Sequence, residues 1–417
     1  MPAMELAKRV AIRPARNLAP GALEGTVLDA ETNAGIAGAE LTFSHDNGAW
    51  STTTGPGGGF RFAPRATGTY RLVSIEARSY ASFEGDFGSS PVSFTSTEGN
   101  DISGVVLRLT PGDKARPRRG RRRSSDQDDA GTQAARGSLR GRVSDARTGA
   151  PVVAFAIALW RREGITFSRM LAPASFIDAS GAYEITDLDP GTYEAVAMAA
   201  GYAWSGYEVA QVDTSPVQAD FALRLGARIE GIVTDGATRR PIPGALISLE
   251  GRRGVAPNLP VAPLSPEAET GADGRFTLEQ VPPDAMSLHA DKEGYLTRIV
   301  TLGPLPEEGD PPPLAIALTP RASGDDASVE LTGIGAVLEA QREWLAVRGV
   351  VAGGGAADAG LVSGDQILAI DGTPVVRLGY ERAIGVIRGP EGTLVVLRIR
   401  RDGREGDVAV TRKRVRH

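Results

Sequence analysis

Cysteine is absent from the 417 residues, which removes disulfide staples, thiolate zinc sites and cysteine nucleophiles. Histidine is nearly absent: His45, His289 and His417 are the whole set. They lie far apart in the chain and show no His-x-x-Glu-His-like spacing, so no histidine metal site is assigned. A Ser–His–Asp triad would need a serine on a nucleophile turn, and no Gly-x-Ser-x-Gly occurs. Gly353-Gly354-Gly355 is followed by no Lys-Ser/Thr and is read as a loop, not a phosphate cradle. No catalytic residue, metal ligand or cofactor is therefore expected. No apolar run reaches membrane length; the longest, residues 152–160, suits a buried strand. At the N-terminus Lys8 and Arg9 precede Val10-Ala11-Ile12, which Arg13 interrupts, so no signal-peptide core is legible. With 46 basic and 51 acidic residues the net charge is −5, a balance that does not point to nucleic acid.

What the chain has in excess is glycine and proline, 52 and 28 residues, without a collagen period. The excess falls in turns, which predicts many short strands. Hydrophobic residues at 41% suffice for packed cores, and the length divides into about four units of ordinary size. One phrase occurs three times: Gly25-Thr26-Val27-Leu28-Asp29, Gly141-Arg142-Val143-Ser144-Asp145 and Gly231-Ile232-Val233-Thr234-Asp235. Each aspartate is followed three residues later by Thr32, Thr148 or Thr238, whose side chains can hold a turn by bonding nearby backbone N–H groups. Pro151 and Pro241 then fix φ where a second strand begins. A second turn follows at Gly57-Gly58-Gly59, Ser180-Gly181 and Asp273-Gly274, each ahead of an alternating strand. Each copy later carries an aromatic, Tyr80, Tyr202 or Tyr295, and closes on an apolar strand.

Six or seven short strands with one apolar face close most readily into a two-sheet sandwich. In order, Gly-x-Val-x-Asp, Thr-Gly-x-Pro, Gly-Ala-x-x-x-Leu, Asp-Gly-x-Phe, Pro-Gly-x-Tyr and Gly-Tyr resemble the carboxypeptidase regulatory-like (transthyretin-like) sandwich. The resemblance covers most of residues 21 to 321. In carboxypeptidases this domain accompanies a zinc peptidase, and no such catalytic domain is present in this sequence. Similar domains recur as spacers in bacterial surface proteins, so the resemblance implies work outside the cytoplasm, in the periplasm or cell envelope.

From Glu330 the pattern changes. Gly333-Ile334-Gly335-Ala336-Val337-Leu338 joins a glycine loop to a strand, and residues 356–360 form a short helical turn. Leu361-Val362-Ser363-Gly364-Asp365-Gln366-Ile367-Leu368-Ala369-Ile370-Asp371-Gly372 gives turn, strand and hairpin. Ile384 and Ile387 place an amphipathic helix over 380–388, stopped by Gly389-Pro390, and 393–400 is predicted as the final strand. These motifs, over about 85 residues, resemble a PDZ domain of the bacterial C-terminal processing-protease type. Those proteases use a Ser–Lys pair in a separate domain, which is missing from this sequence. The resemblance implies capture of an extended or C-terminal peptide by strand addition. The backbone N–H groups of Ile334, Gly335 and Ala336 would face the ligand's carboxylate. The peptide would pair along the strand that holds Val337 and Leu338 and lie beside a helix holding Tyr380, Ile384 and Ile387. Ile334, Leu338, Ile384 and Ile387 would line its terminal pocket. Gly379 and Gly385 lower helix propensity by roughly 1 kcal/mol each, which predicts a soft groove wall.

The expected fold is mainly β: three tandem antiparallel β-sandwich domains and a C-terminal PDZ domain, a small β-barrel with one or two short helices. The divisions expected are a tail at 1–20, sandwiches at 21–111, 138–226 and 227–321, linkers at 112–137 and 322–328, and the PDZ domain at 329–417. The first linker carries the basic run 114–123, followed by Asp126, Asp128 and Asp129, and reads as a solvated flexible tether. The function expected is a non-enzymatic binding scaffold whose partner offers a peptide C-terminus. The alternative is a carbohydrate- or cell-surface-binding structural protein that uses the sandwich domains, with polysaccharide stacked on Trp50, Trp160 or Trp204.

Overall fold

The computed structural model describes residues 11–14, 19–46, 48–84, 92–112, 136–171, 173–206, 208–249, 267–282, 284–306, 309–322 and 328–416. The basic run 114–123, the acids after it and most of the second expected linker lie outside these residues. The described residues form two compact units, one within 1–161 and 170–225, the other within 162–169, 226–249 and 267–416.

In the first unit the strands alternate as the sequence requires, with Phe60 and Phe62 buried and Gly59 and Arg61 exposed in Gly59–Phe62. One sheet of the first sandwich orders Ala11–Pro14, Asn100–Leu109, Leu23–Asp29 and Gly59–Phe62. Ala11–Pro14, expected in a tail, is thus a strand of the sandwich, paired antiparallel with Asn100–Leu109. The facing sheet holds Glu40–His45, Gly48–Thr53, Gly68–Glu76 and Val92–Ser96. Leu23, Val27, Leu41, Phe43, Phe62, Tyr70 and Phe94 fill the space between. Sheets are mostly antiparallel, but in every copy the strand that carries the repeated phrase pairs parallel with the last: Leu23–Asp29 with Asn100–Leu109, Gly137–Asp145 with Phe221–Leu223, Ala227–Asp235 with Leu314–Leu318.

Two features depart from isolated sandwiches. Val92–Ser96 of the first copy pairs parallel with Ala174–Asp178 of the second, so a single ten-stranded sheet runs through both. The first six residues of the strand Ala154–Glu163 are buried on both faces, which explains their continuous apolar run. Phe155, Ile157 and Leu159 enter the second core, while Ala156 and Ala158 leave room for Val196, Met198 and Trp204.

The thrice-written phrase builds the same lock three times. Asp29, Asp145 and Asp235 each accept two backbone N–H bonds on Oδ1: from Glu31 and Thr32, from Arg147 and Thr148, and from Ala237 and Thr238, at 2.7–2.9 Å. On Oδ2 each accepts the hydroxyl of the late tyrosine, Tyr80, Tyr202 or Tyr295, at 2.9 Å. One carboxylate thereby ties the first turn to a segment 51, 57 or 60 residues further along the chain.

In the second unit a six-stranded sheet carries Glu267–Glu269, Leu246–Leu249, Ser287–Asp291, Thr297–Thr301, Val329–Gly333 and Lys413–Arg416. The third sandwich and the C-terminal barrel therefore share one sheet: Thr297 and Arg298 pair with Val329 and Glu330. Glu330 is 1% exposed at that seam. Its carboxylate accepts Arg298 Nη1 at 2.8 Å, Arg416 Nε at 2.9 Å and the Thr319 hydroxyl at 3.0 Å. Burial pushes its carboxyl up, but these donors and the two arginine charges outweigh that and leave it below 4.5.

Burial raises the Tyr202 phenol, and its bond to Asp145 raises it further, to about 12 against the usual 10.0. A raised pKa gives stability that is complete below pH 10 and is lost as the pH climbs towards 12. Tyr202→Phe is expected to cost about 1 kcal/mol at neutral pH and to remove that part of the alkaline loss, by urea denaturation at about pH 7 and 11. Glu330→Gln, which leaves Arg298 and Arg416 short of a counter-charge, is expected to cost roughly 2–3 kcal/mol. Since the folded carboxyl titrates below 4.5, the Glu330 contribution should hold above that value and fade as the pH falls through the lower folded pKa. Thermal melts across that range, wild type against variant, check both.

Candidate functional site

Beyond Val329–Gly333 the barrel strands order as Ala336–Ala340, Leu345–Val350, Gln366–Ile370, Leu394–Arg401 and Arg404–Thr411. The strand predicted as final, near 393–400, is followed by two more, Arg404–Thr411 and Lys413–Arg416, because Gly403 at φ +76° turns the chain straight back. Ala336–Ala340 stands at one end of this order. It pairs antiparallel with Leu345–Val350, and among the described residues no strand pairs with its other edge. Ala336, Leu338 and Ala340 are half-buried against the barrel core, while Val337 and Glu339 are exposed. Glu339 ion-pairs with Arg348 on the neighbouring strand.

The loop before that strand is held from behind. The Ile334 carbonyl accepts the Ala356 N–H at 2.7 Å, and the Gly335 carbonyl accepts the Val351 N–H at 2.8 Å. Among the described residues no acceptor meets the N–H groups of Ile334 or Gly335. Gly335 has φ +71°, and a Cβ there would sit 3.0 Å from the Gly354 Cα, so only glycine fits.

The helix Tyr380–Ile387 forms as its spacing predicts, with Ala383 and Ile387 buried and Tyr380 and Ile384 half-buried on the same core. Gly379 at φ +75° is its N-cap. Gly385 has a packing reason: a Cβ there would collide with the Met286 thioether. The wall expected to be soft is therefore braced from outside, with Met286 occupying the space that a side chain at 385 would need. At the other end Arg412, only 8% exposed, spreads its guanidinium over four acceptors. These are the carbonyls of Val386 (2.8 Å), Ile387 (3.0 Å) and Leu394 (2.7 Å) and the Thr393 hydroxyl (3.0 Å). A cation at a helix C-terminus also meets the negative end of the helix dipole. Asp365, fully buried, accepts the Val362 N–H at 2.9 Å and two Arg401 bonds at 2.6 Å. Those arginine bonds, ahead of every other cause, hold its carboxyl below the usual range.

The nine sequence candidates thus fall on two elements. Gly333, Ile334, Gly335, Ala336, Val337 and Leu338 form one continuous loop and edge strand; Tyr380, Ile384 and Ile387 lie on the helix. Leu338 and Ile384 are half-buried, whereas Ile334 and Ile387 are core side chains, 2% and 4% exposed. Arg412 and Met286 were not legible: neither belongs to a spaced motif, and Arg412 reads only as one more base in a basic tail. Of the three tryptophans, Trp204 is buried, Trp160 is half-buried and packs with it against Ala156 and Ala158, and Trp50 is half-buried on the first core with the Arg65 guanidinium 5.8 Å above its ring. His45 stacks on Tyr70 at 4.7 Å. No cluster of three metal-ligating side chains occurs among the described residues, and no helix there is long and apolar enough to cross a membrane.

A carboxypeptidase regulatory-like domain matches residues 22–95 and 228–319, and a PDZ domain matches residues 347–401. Residues 138–226, between the two sandwich matches, carry the same aspartate–tyrosine lock. Among solved structures the chain is similar to the PDZ domain of a carboxy-terminal protease from Vibrio cholerae in complex with peptide. That match has 32% identity, covers 21% of this chain and 100% of that one, and has a TM-score of 0.20. It is also similar to a photosystem II D1 C-terminal processing protease, at 25% identity, over 20% of this chain and only 23% of the protease, with a TM-score of 0.19. A streptococcal ancillary pilin matches at 13% identity, covering 73% of this chain and 100% of that one, with a TM-score of 0.25. No curated protein sequence matches the chain.

Arg412→Met is expected to cost roughly 2–3 kcal/mol by leaving three carbonyls short of a donor. Arg412→Lys should recover little, because an ammonium cannot span the fork of acceptors. Amide exchange at Val386–Arg388, faster in both variants, is the check.

Proposed function

With carboxypeptidase regulatory-like domains and a PDZ domain in one chain, we propose that the protein is a non-enzymatic binding scaffold that captures the C-terminal peptide of a partner protein. The peptide adds as a strand to the open edge of Ala336–Ala340, and its carboxylate sits over the N–H groups of Ile334, Gly335 and Ala336. The observation that carries this reading is the unpaired edge itself, next to two loop N–H groups with no acceptor among the described residues. Unpaired backbone groups along an ordered edge are a template for another strand. Leu338 and Ile384, half-buried on the same core, would meet the ligand's apolar side chains, with Tyr380 beside them and Ile334 and Ile387 as the floor.

The sandwiches act as spacer and display units, working outside the cytoplasm at the cell envelope. Their sheets suit that task, since the first two copies share a sheet, as do the third copy and the barrel. A shared sheet transmits position better than a tether, because bending it breaks ladder hydrogen bonds.

Fluorescence anisotropy of the full chain with peptides ending in a free or an amidated C-terminus tests the reading. Free carboxylates should bind and amides should bind at least about tenfold more weakly. Gly335→Val, which cannot hold φ +71° beside Gly354, should abolish the difference. Equal binding of both termini would overturn carboxylate capture.

A further inference from the structure

Residues 162–169 belong to the same compact unit as the barrel, and their turn at Gly164-Ile165 reaches the groove. The end it reaches is fixed by contacts. At the loop end, a Cβ on Gly333 would lie 3.7 Å from Arg388 Cγ, just past the last residue of the helix. Ile165 lies at the other end. Its carbonyl accepts the N–H of Tyr380, the first residue of the helix, at 2.8 Å. Its N–H donates to the carbonyl of Arg342 at 3.1 Å, two residues beyond the end of the edge strand. One residue thus bridges strand side and helix side through its backbone.

The turn is built to stay there. The Ile165 side chain is 1% exposed and is part of the barrel core. Gly164 has φ +65°, and a Cβ on it would collide with the Arg342 carbonyl oxygen. Arg162 Nη2 donates to the Val376 carbonyl at 2.9 Å.

We propose that the Gly164-Ile165 turn is a stop that sets how much of a peptide the groove reads, an inference that rests on the groove reading above. A strand added to the five residues Ala336–Ala340 extends about 17 Å at about 3.3 Å per residue. Past that length it meets Ile165, whose backbone already holds the Arg342 carbonyl and the Tyr380 N–H. The groove therefore reads about the last five residues of a tail, and an internal segment, which must run on at both ends, is excluded.

The test uses the full chain and free-carboxylate synthetic peptides that share an apolar C-terminal sequence, about five and about ten residues long. In the wild type both lengths should bind within about a factor of two. Gly164→Val expels the turn without altering a barrel residue, and Ile165→Asp removes its anchor. In both, the longer peptide should gain at least about fivefold while the shorter is unchanged, which also shows that the groove remains folded. Ile165→Val should behave as wild type. A longer peptide that already binds more tightly in the wild type, or variants that show no length dependence, would overturn the stop while leaving the groove reading intact. Absence of binding by every peptide to the wild type would overturn the groove reading and the stop with it.

Discussion

Every backbone N–H and C=O removed from water must find a partner, and most of this molecule is an answer to that demand. Short strands in thin sandwiches expose many edges and turns. The chain meets the turns with Asp29, Asp145 and Asp235, each holding two backbone N–H groups on one oxygen and a tyrosine hydroxyl on the other. It meets the edges by continuing sheets between repeats, through Val92–Ser96 with Ala174–Asp178 and Thr297–Thr301 with Val329–Gly333. It meets a helix terminus with Arg412, a buried cation satisfied by carbonyls and a hydroxyl. The outer edge of Ala336–Ala340 is one of the sheet edges left unpaired among the described residues, and it is the one that stands beside a glycine loop whose N–H groups meet no acceptor there.

The proposed groove is a product of what surrounds it. The loop N–H groups are presented because their own carbonyls are anchored to Ala356 and Val351. The helix is braced by Met286 at the bare Gly385 and clamped by Arg412 at its end. The seam at Glu330 joins the barrel to the third sandwich through a buried carboxylate with three close donors. None of these groups would touch a ligand, yet each sets where the edge strand and helix stand.

Local chemistry was the legible part of the sequence. The Asp-Thr turns, the left-handed glycines Gly58, Gly181 and Gly274, and the apolar spacing of Tyr380–Ile387 depend on neighbours a few residues apart, and all three were readable. The residues of the proposed groove were picked out on the same kind of local signal, since Gly333-Ile334-Gly335 is a short, unusual phrase. Long-range pairing was not. Nothing in Ala11–Pro14 or Val92–Ser96 announces its partner, because a strand's pattern states which face is buried and leaves the neighbour open. Arg412, Glu330 and Ile165 were invisible for a related reason: each acts on residues 11 to 215 positions away, and its residue type is ordinary where it stands.

Strand addition predicts a specific footprint on the backbone, and amide hydrogen exchange of the full chain with and without a free-carboxylate peptide reads it most directly. On the account given, the peptide should slow exchange at the loop amides of Ile334 and Gly335 and at outward-facing amides of Ala336–Ala340, and leave the clamped amides near Arg412 unchanged. A peptide that binds with no protection along residues 334–340 would contradict it.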